Sequence, residues 1–167
     1  MDHSQKIKTS SAIIIIILLL VLGYMLLNKN ITPLSDDSNV TSDANTEATD
    51  PIVETTKVVN GITPAPTGFP SDIPIEAGAI LESNTTYYPD QNAEQLTLSY
   101  KSTKTVTQKY TEYKNYLTKA GYQITEGSST SPVRAVFGTK PDVNLTVAVS
   151  SVDGRTLVQI SYLIKSL

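Results

Sequence analysis

The stretch STKTVTQKYTEYKNYLTKAGY, residues 102–122, decides the fold because its apolar residues repeat with the period of an α-helix. The steps between them are four, three, four and three residues, so they share one helical face. These residues are Val106, Tyr110, Tyr113, Leu117 and Ala120. Thr103 or Thr105 is suited to cap the first turn, and Gly121 stands where a left-handed residue ends a helix. The stretch therefore predicts one amphipathic helix with the two tyrosines in the core.

The lysines of this stretch do not form a stripe. They recur every five residues, and five residues turn a helix by about 140° beyond a full circle, so they spiral around it. They are Lys104, Lys109, Lys114 and Lys119. We predict that these lysines are solvated. Acidic and basic residues are equal in number over residues 70–167, so we predict no nucleic-acid partner.

The segments around the helix alternate apolar and polar residues, as half-buried strands do. The clearest are EQLTLSYKS, residues 94–102, and VNLTVAVS, residues 143–150. Asp153-Gly154 has the composition of a hairpin turn and precedes a last alternating segment. The pattern predicts an α+β domain over residues 70–167, in which one helix packs on a mainly antiparallel sheet of about five or six strands.

The order of these elements, preceded by PSDIPIEAGA at residues 70–79, resembles a small domain of single-anchor bacterial envelope proteins of uncharacterised function. The positions that carry the resemblance are Pro70, Asp72, Ile73, Pro74, Gly78, Ala79 and the Gly121-Tyr122 pair. Glu76-Ala77 departs from the Tyr-Pro that often precedes Gly-Ala in that family. The resemblance implies an envelope protein and brings no catalytic residues with it.

A dense aliphatic run, AIIIIILLLVLGYMLL, lies near the N-terminus and contains no charge. With the neutral residues on either side it approaches the ~20 residues of a membrane-spanning helix. Residues 12–28 are therefore predicted to be a transmembrane anchor in contact with membrane lipid. A cleaved signal peptide is the alternative, but Leu26, Leu27 and Asn28 stand where cleavage requires small residues.

The charges beside this run predict its orientation. Lys6 and Lys8 precede it, whereas Lys29 alone follows it before an acidic tract. Positively charged flanks stay on the cytoplasmic side. The prediction is a single-pass protein of the cell membrane whose residues 1–11 are cytoplasmic and whose C-terminal domain is extracytoplasmic.

Residues 29–69 are rich in Thr, Ser, Asp and Pro and carry a net negative charge. Such a segment does not bury enough apolar surface to offset the entropy of ordering it, so we predict a disordered stalk. Its single apolar patch is IVETTKVV, residues 52–59, for which a transient strand or short docking segment is the alternative.

The amino-acid composition provides few of the side chains that commonly catalyse reactions. The chain has no cysteine, and its only histidine is His3, so disulfides, thiolates and histidine-based sites are excluded from the domain. The acidic residues are scattered and no pair of them stands out. No catalytic, cofactor or metal site is predicted. Tyr87-Tyr88-Pro89, in a predicted loop, offers rings to stack on a sugar or grip a peptide, and packing within the loop is the favoured alternative.

These features predict a non-enzymatic, membrane-tethered module that binds a protein or an envelope polymer outside the cytoplasm. A pilin-like or other structural envelope subunit is the first alternative, although the apolar run lacks the acidic residue that pilins usually carry there. A weak hydrolase that works with carboxylates is the second alternative.

Overall fold

The computed structural model describes residues 50–55, 63–76, 80–127 and 131–165. The predicted anchor at 12–28 and the rest of the chain before Asp50 lie outside these ranges. Within them, no helix has both the length and the apolar character needed to cross a membrane.

The described residues form one helix and seven strands. In chain order they are β1 (Ile52–Thr55), β2 (Ile80–Tyr88), β3 (Ala93–Ser102), α1 (Val106–Lys119), β4 (Gln123–Glu126), β5 (Val133–Thr139), β6 (Val143–Val152) and β7 (Arg155–Lys165). The strands form one sheet in the order β1-β2-β3-β7-β6-β5-β4, with every neighbouring pair antiparallel. The predicted α+β architecture, one helix on a mainly antiparallel sheet, is confirmed, with seven strands in place of five or six.

The additional strand is β1, which lies inside the segment predicted to be a disordered stalk. It pairs with β2 from Ile52↔Tyr87 to Thr55↔Asn84 and forms one edge of the sheet. All four of its side chains are exposed, Val53 by 62%. Main-chain hydrogen bonds hold β1 in place, and a prediction based on apolar burial does not register them.

Residues 63–69, also predicted as stalk, pack on the same side of the sheet as α1. Ser83 Oγ donates a 2.7 Å hydrogen bond to the carbonyl oxygen of Pro64. The ring of Phe69 lies 6.3 Å from that of Tyr162, between centroids, and contacts the core. The stalk prediction is therefore wrong for residues 63–69, because a proline-rich segment needs no regular element of its own to lie against a sheet. At β1 the structure has the strand that was the alternative for residues 52–59.

Local signals define both ends of α1. Thr105 caps its start: the Thr105 hydroxyl accepts from Gln108 N at 3.2 Å, and the Gln108 side chain accepts from Thr105 N at 2.9 Å. At the other end Gly121 has φ +75°, and Tyr122 N donates to the Leu117 carbonyl oxygen at 3.0 Å. This is the Schellman arrangement that the Gly121 prediction implies.

The core lies between α1 and one face of the four central strands. Its fully buried side chains include Leu98, Tyr100, Tyr113, Leu117, Val136, Leu145, Val147, Val149, Val158 and Ile160. Gly138 lets α1 approach β5 closely, because a Cβ atom there would stand 2.5 Å from Leu117 Cδ2 and 3.0 Å from Tyr122 Cδ1. α1 thus lies across β6, β5 and β4, toward the β4 edge of the sheet.

We expect Gly138→Ala to lower the free energy of unfolding by about 1–3 kcal/mol, because the added methyl group overpacks a core in which Leu117 is fully buried. Urea denaturation of the full chain in detergent micelles, followed by circular dichroism, measures the change. Gly127→Ala is the control, since its nearest neighbour would be a backbone oxygen at 3.3 Å. An equal or larger loss at Gly127 would contradict this account of Gly138.

Candidate functional site

A groove lies where β3 ends and the hairpin between β6 and β7 turns. It encloses about 700 Å³. Its lining includes Lys101, Thr103, Lys104, Ser151, Arg155 and Thr156. Among the residues that the structure describes, none that lines the groove is acidic. We call it the basic groove.

The basic groove and the start of β1 lie at opposite ends of the sheet. Ile52, the first residue of β1, pairs with Tyr87, whose partner on β3 is Glu94, near the start of that strand. The groove lies beside Ser102, the last residue of β3. Since β3 has ten residues, each rising about 3.3 Å, the two ends are roughly 30 Å apart.

α1, whose first residue Val106 lines the groove, carries a buried lysine. The Lys109 side chain is 1% exposed, and its Nζ lies 5.3 Å from the ring centroid of Tyr100 and 5.0 Å from that of Tyr113. The same Nζ is 3.1 Å from Glu112 Oε2 and 3.6 Å from Glu76 Oε1. A buried ammonium is tolerated when it is paired in this way. We call these five residues the Lys109 cluster.

The two tyrosine hydroxyls of the Lys109 cluster are hydrogen-bonded to each other and to the backbone of the entering segment. Tyr113 OH donates to the Pro74 carbonyl oxygen at 2.6 Å. Tyr100 OH and Tyr113 OH are 2.7 Å apart, and because the Tyr113 proton is already used, Tyr100 donates to Tyr113. Burial is the main reason why the pKa of each tyrosine is raised, so both remain neutral.

Glu76 connects the Lys109 cluster to the basic groove. Its carboxylate accepts hydrogen bonds from Ser102 Oγ and, at 3.3 Å, from Thr103 N. Lys104 N in turn donates to Ser102 Oγ at 3.0 Å. The segment that enters the domain at residues 63–76 therefore fixes the backbone turn that forms one wall of the groove.

Lys109 stays charged and the two carboxylates of the cluster stay ionised near neutral pH. Burial lowers the pKa of Lys109, but Tyr100 and Glu112 outweigh burial and the net pKa is raised, so the amine stays charged. Burial raises the pKa of Glu76 and of Glu112, but hydrogen bonds and the lysine charges outweigh it and lower both. Neither carboxylate is the raised-pKa proton donor that a glycosidase needs.

The prediction that the helix lysines are solvated is wrong for Lys109. Lys109 stands four residues before Tyr113 and eight before Leu117, which places it on the buried face of α1. Lys104, by contrast, is half exposed and pairs with Glu112 at 2.9 Å. Spacing among the lysines alone did not reveal this, since the decisive relation is to the apolar positions.

Tyr87 and Tyr88 end strand β2 and do not lie in a loop. As neighbours on a strand they project from opposite faces of the sheet, so they do not form one stacking platform. Tyr87 OH donates to Asn92 Oδ1 at 3.2 Å, and Tyr88 OH donates to Gln95 Oε1 at 2.6 Å. Both rings are half-buried, at the end of the sheet away from the basic groove.

The basic groove itself was not found from the sequence. Lys101 and Arg155 line the same groove because β3 pairs with β7, with Ser102 opposite Thr156. Lys101 ends an alternating segment and Arg155 follows the Asp153-Gly154 turn, so the two signals were present separately. Only the order of strands in the sheet brings them together.

No protein-family model, no curated protein and no solved structure matches this chain. The resemblance to a bacterial envelope domain stays an expectation.

Replacing Lys109 by methionine removes the charge from between two carboxylates, and we expect a loss of about 3 kcal/mol in the free energy of unfolding. Urea denaturation of the full chain measures it. Lys104→Met is the matched control: it removes a half-exposed partner of Glu112, and a loss of about 0–1 kcal/mol is expected. Equal losses of unfolding free energy in the two variants would show that the buried charge of Lys109 matters no more to stability than the half-exposed charge of Lys104.

The Lys109 cluster also predicts acid sensitivity. Glu76 and Glu112 have folded-state pKa values below the ordinary 4.5, so the unfolded chain takes up their protons first. Their contribution to stability is complete above pH 4.5 and is lost as the pH falls through the folded values. Urea midpoints measured between about pH 6 and pH 3 should fall less in the Glu76→Gln, Glu112→Gln double variant, once corrected for its lower starting stability. An equal fall of the urea midpoint with pH in the unmodified chain and in the double variant would contradict the assignment of this acid sensitivity to Glu76 and Glu112.

Proposed function

We propose that this chain is a single-pass, membrane-tethered module that binds a component of the cell envelope outside the cytoplasm, without catalysis. The observation that carries the proposal is the basic groove, an open site of about 700 Å³ whose described lining residues include three cations and several hydroxyl groups and no carboxylate. Its volume lies in the range of small-molecule sites in proteins.

The position of the groove supports a tethered binding role. The chain that would lead from the predicted anchor at 12–28 joins the sheet at β1, roughly 30 Å from the groove along β3. A site at the end of the sheet remote from the tether attachment stays open to a large ligand while the chain is anchored. The envelope resemblance carried by the Pro70–Ala79 segment points to the same setting.

The alternatives receive less support. A hydrolase needs a proton donor, and the two carboxylates beside the groove have lowered pKa values. A filament subunit built by strand addition would need a long free edge, whereas the two edge strands, β1 and β4, have four residues each. Both features favour a monomeric binding module.

The absence of cysteine allows a direct test of the tethered topology, because one introduced thiol is the only thiol in the chain. Thr103→Cys places it at the exposed rim of the groove, and Ser4→Cys places it before the anchor. In intact cells, a membrane-impermeant maleimide should label the Cys at 103 and not the Cys at 4. After lysis it should label both.

The same labelled chain tests binding. Extracted in detergent and mixed with washed, insoluble envelope material, the full chain should sediment with that material and stay in solution without it. Protection of Thr103→Cys in intact cells with labelling of Ser4→Cys would reverse the topology and overturn the tethered model. Failure to sediment with envelope material would overturn the binding role.

A further inference from the structure

We infer that the basic groove binds the anionic groups of a hydroxyl-rich envelope polymer, with Lys101 and Arg155 as the residues that hold the charge. This inference rests on the proposed function and assigns the chemical class of its ligand. Phosphate and carboxylate groups are the two sources of such charge in polymers, and both accept hydrogen bonds from ammonium and guanidinium groups.

The sheet register places Lys101 and Arg155 side by side. Lys101 pairs with Leu157 and Ser102 with Thr156, so Arg155 lies diagonally next to Lys101 on the adjoining strand. Residues 101 and 155 are on the same face of the sheet, because 101 and 157 are opposite each other and side chains alternate along a strand. Two cations at neighbouring positions of a strand pair repel each other. An anion bound between them removes that repulsion.

The carboxylates near the groove are committed elsewhere. Glu76 accepts from Ser102 and Thr103 and faces Lys109 at 3.6 Å. Glu112 is 2.9 Å from Lys104 and 3.1 Å from Lys109. Asp153, in the turn between β6 and β7, is not among the residues that line the groove. The groove therefore presents the charges of Lys101 and Arg155 to a ligand, with no acidic side chain among the described residues of its walls.

The other walls of the groove indicate the size and polarity of the ligand. Thr103 and Ser151 are exposed beside the two cations and supply hydroxyl groups that donate and accept. A volume of about 700 Å³ is far more than one phosphate or carboxylate group fills. A few repeating units of a polyol or sugar polymer match both properties, with the anion at the cations and the hydroxyl groups along Thr103 and Ser151.

The experiment titrates the full chain, in detergent micelles, with three soluble polymers: polyphosphate, polygalacturonate and neutral dextran. We expect at least one of the two polyanions to bind and dextran not to bind. Binding should weaken as sodium chloride is raised from about 50 to about 500 mM, since exposed charges are screened over that range. Preference for polyphosphate assigns a phosphate-bearing polymer, and preference for polygalacturonate assigns a uronate polymer.

Substitutions locate the site. Lys101→Gln and Arg155→Gln should each weaken polyanion binding about tenfold, as the loss of one charge-assisted hydrogen bond does. Lys119→Gln makes the same charge change in the last turn of α1, outside the groove, and should leave binding unchanged. Thermal unfolding of all three variants checks that each is folded. Equal binding by dextran, or no greater effect at 101 and 155 than at 119, overturns the inference.

Envelope sedimentation with the same variants separates the two proposals. If the chain sediments with envelope material and Lys101→Gln and Arg155→Gln make no difference, the anionic ligand is wrong and the binding module stands. If the chain binds soluble polyanions through these residues and never sediments with envelope material, the anion site stands and the envelope role fails.

Discussion

The ammonium group of Lys109 lies on the buried face of α1, between two tyrosine rings and two carboxylates, with 1% of the side chain exposed. A charge in that position is stable only while its partners surround it. Those partners come from three parts of the chain: Glu76 from the entering segment, Tyr100 from β3, and Tyr113 and Glu112 from α1 itself. The burial of one charge thus holds together the sheet, the helix and the segment that leads into the domain.

The same constraint shapes the candidate site. Glu76 faces Lys109 with one oxygen and accepts from Ser102 and Thr103 at the start of the turn before α1. The wall of the basic groove is therefore an extension of the Lys109 cluster. The proposed ligand would contact Lys101 and Arg155, because the acids of the cluster are already engaged by Lys104 and Lys109. Glu76 therefore takes part both in burying the charge of Lys109 and in holding one wall of the groove.

Elements whose cause is local were predictable from the sequence. The period of the apolar residues and the Gly121 stop locate α1, and the Asp153-Gly154 pair forms its hairpin with φ of +51° and +73°. What depends on pairing between distant segments was not predictable. The pairing of Lys109 with Glu76 and the position of β3 next to β7 exist only in the fold. For β1, the apolar patch at residues 52–59 indicated a strand only as the alternative, because its side chains are exposed and a backbone ladder holds it.

The position of β1 at the edge of the sheet also determines how the domain would respond to a pulling force from the preceding chain. Its neighbour in the sheet is β2 alone, and its first residue, Ile52, is the one nearest the preceding chain. Tension arriving from that side would load the hydrogen bonds of the Ile52–Tyr87 pair before those of the Thr55–Asn84 pair, opening them one after another and not all at once. The four residues of β1 would then be released as about 14 Å of extended chain before the load reached β3 and the Lys109 cluster. The edge strand would therefore open before the rest of the domain bears the load.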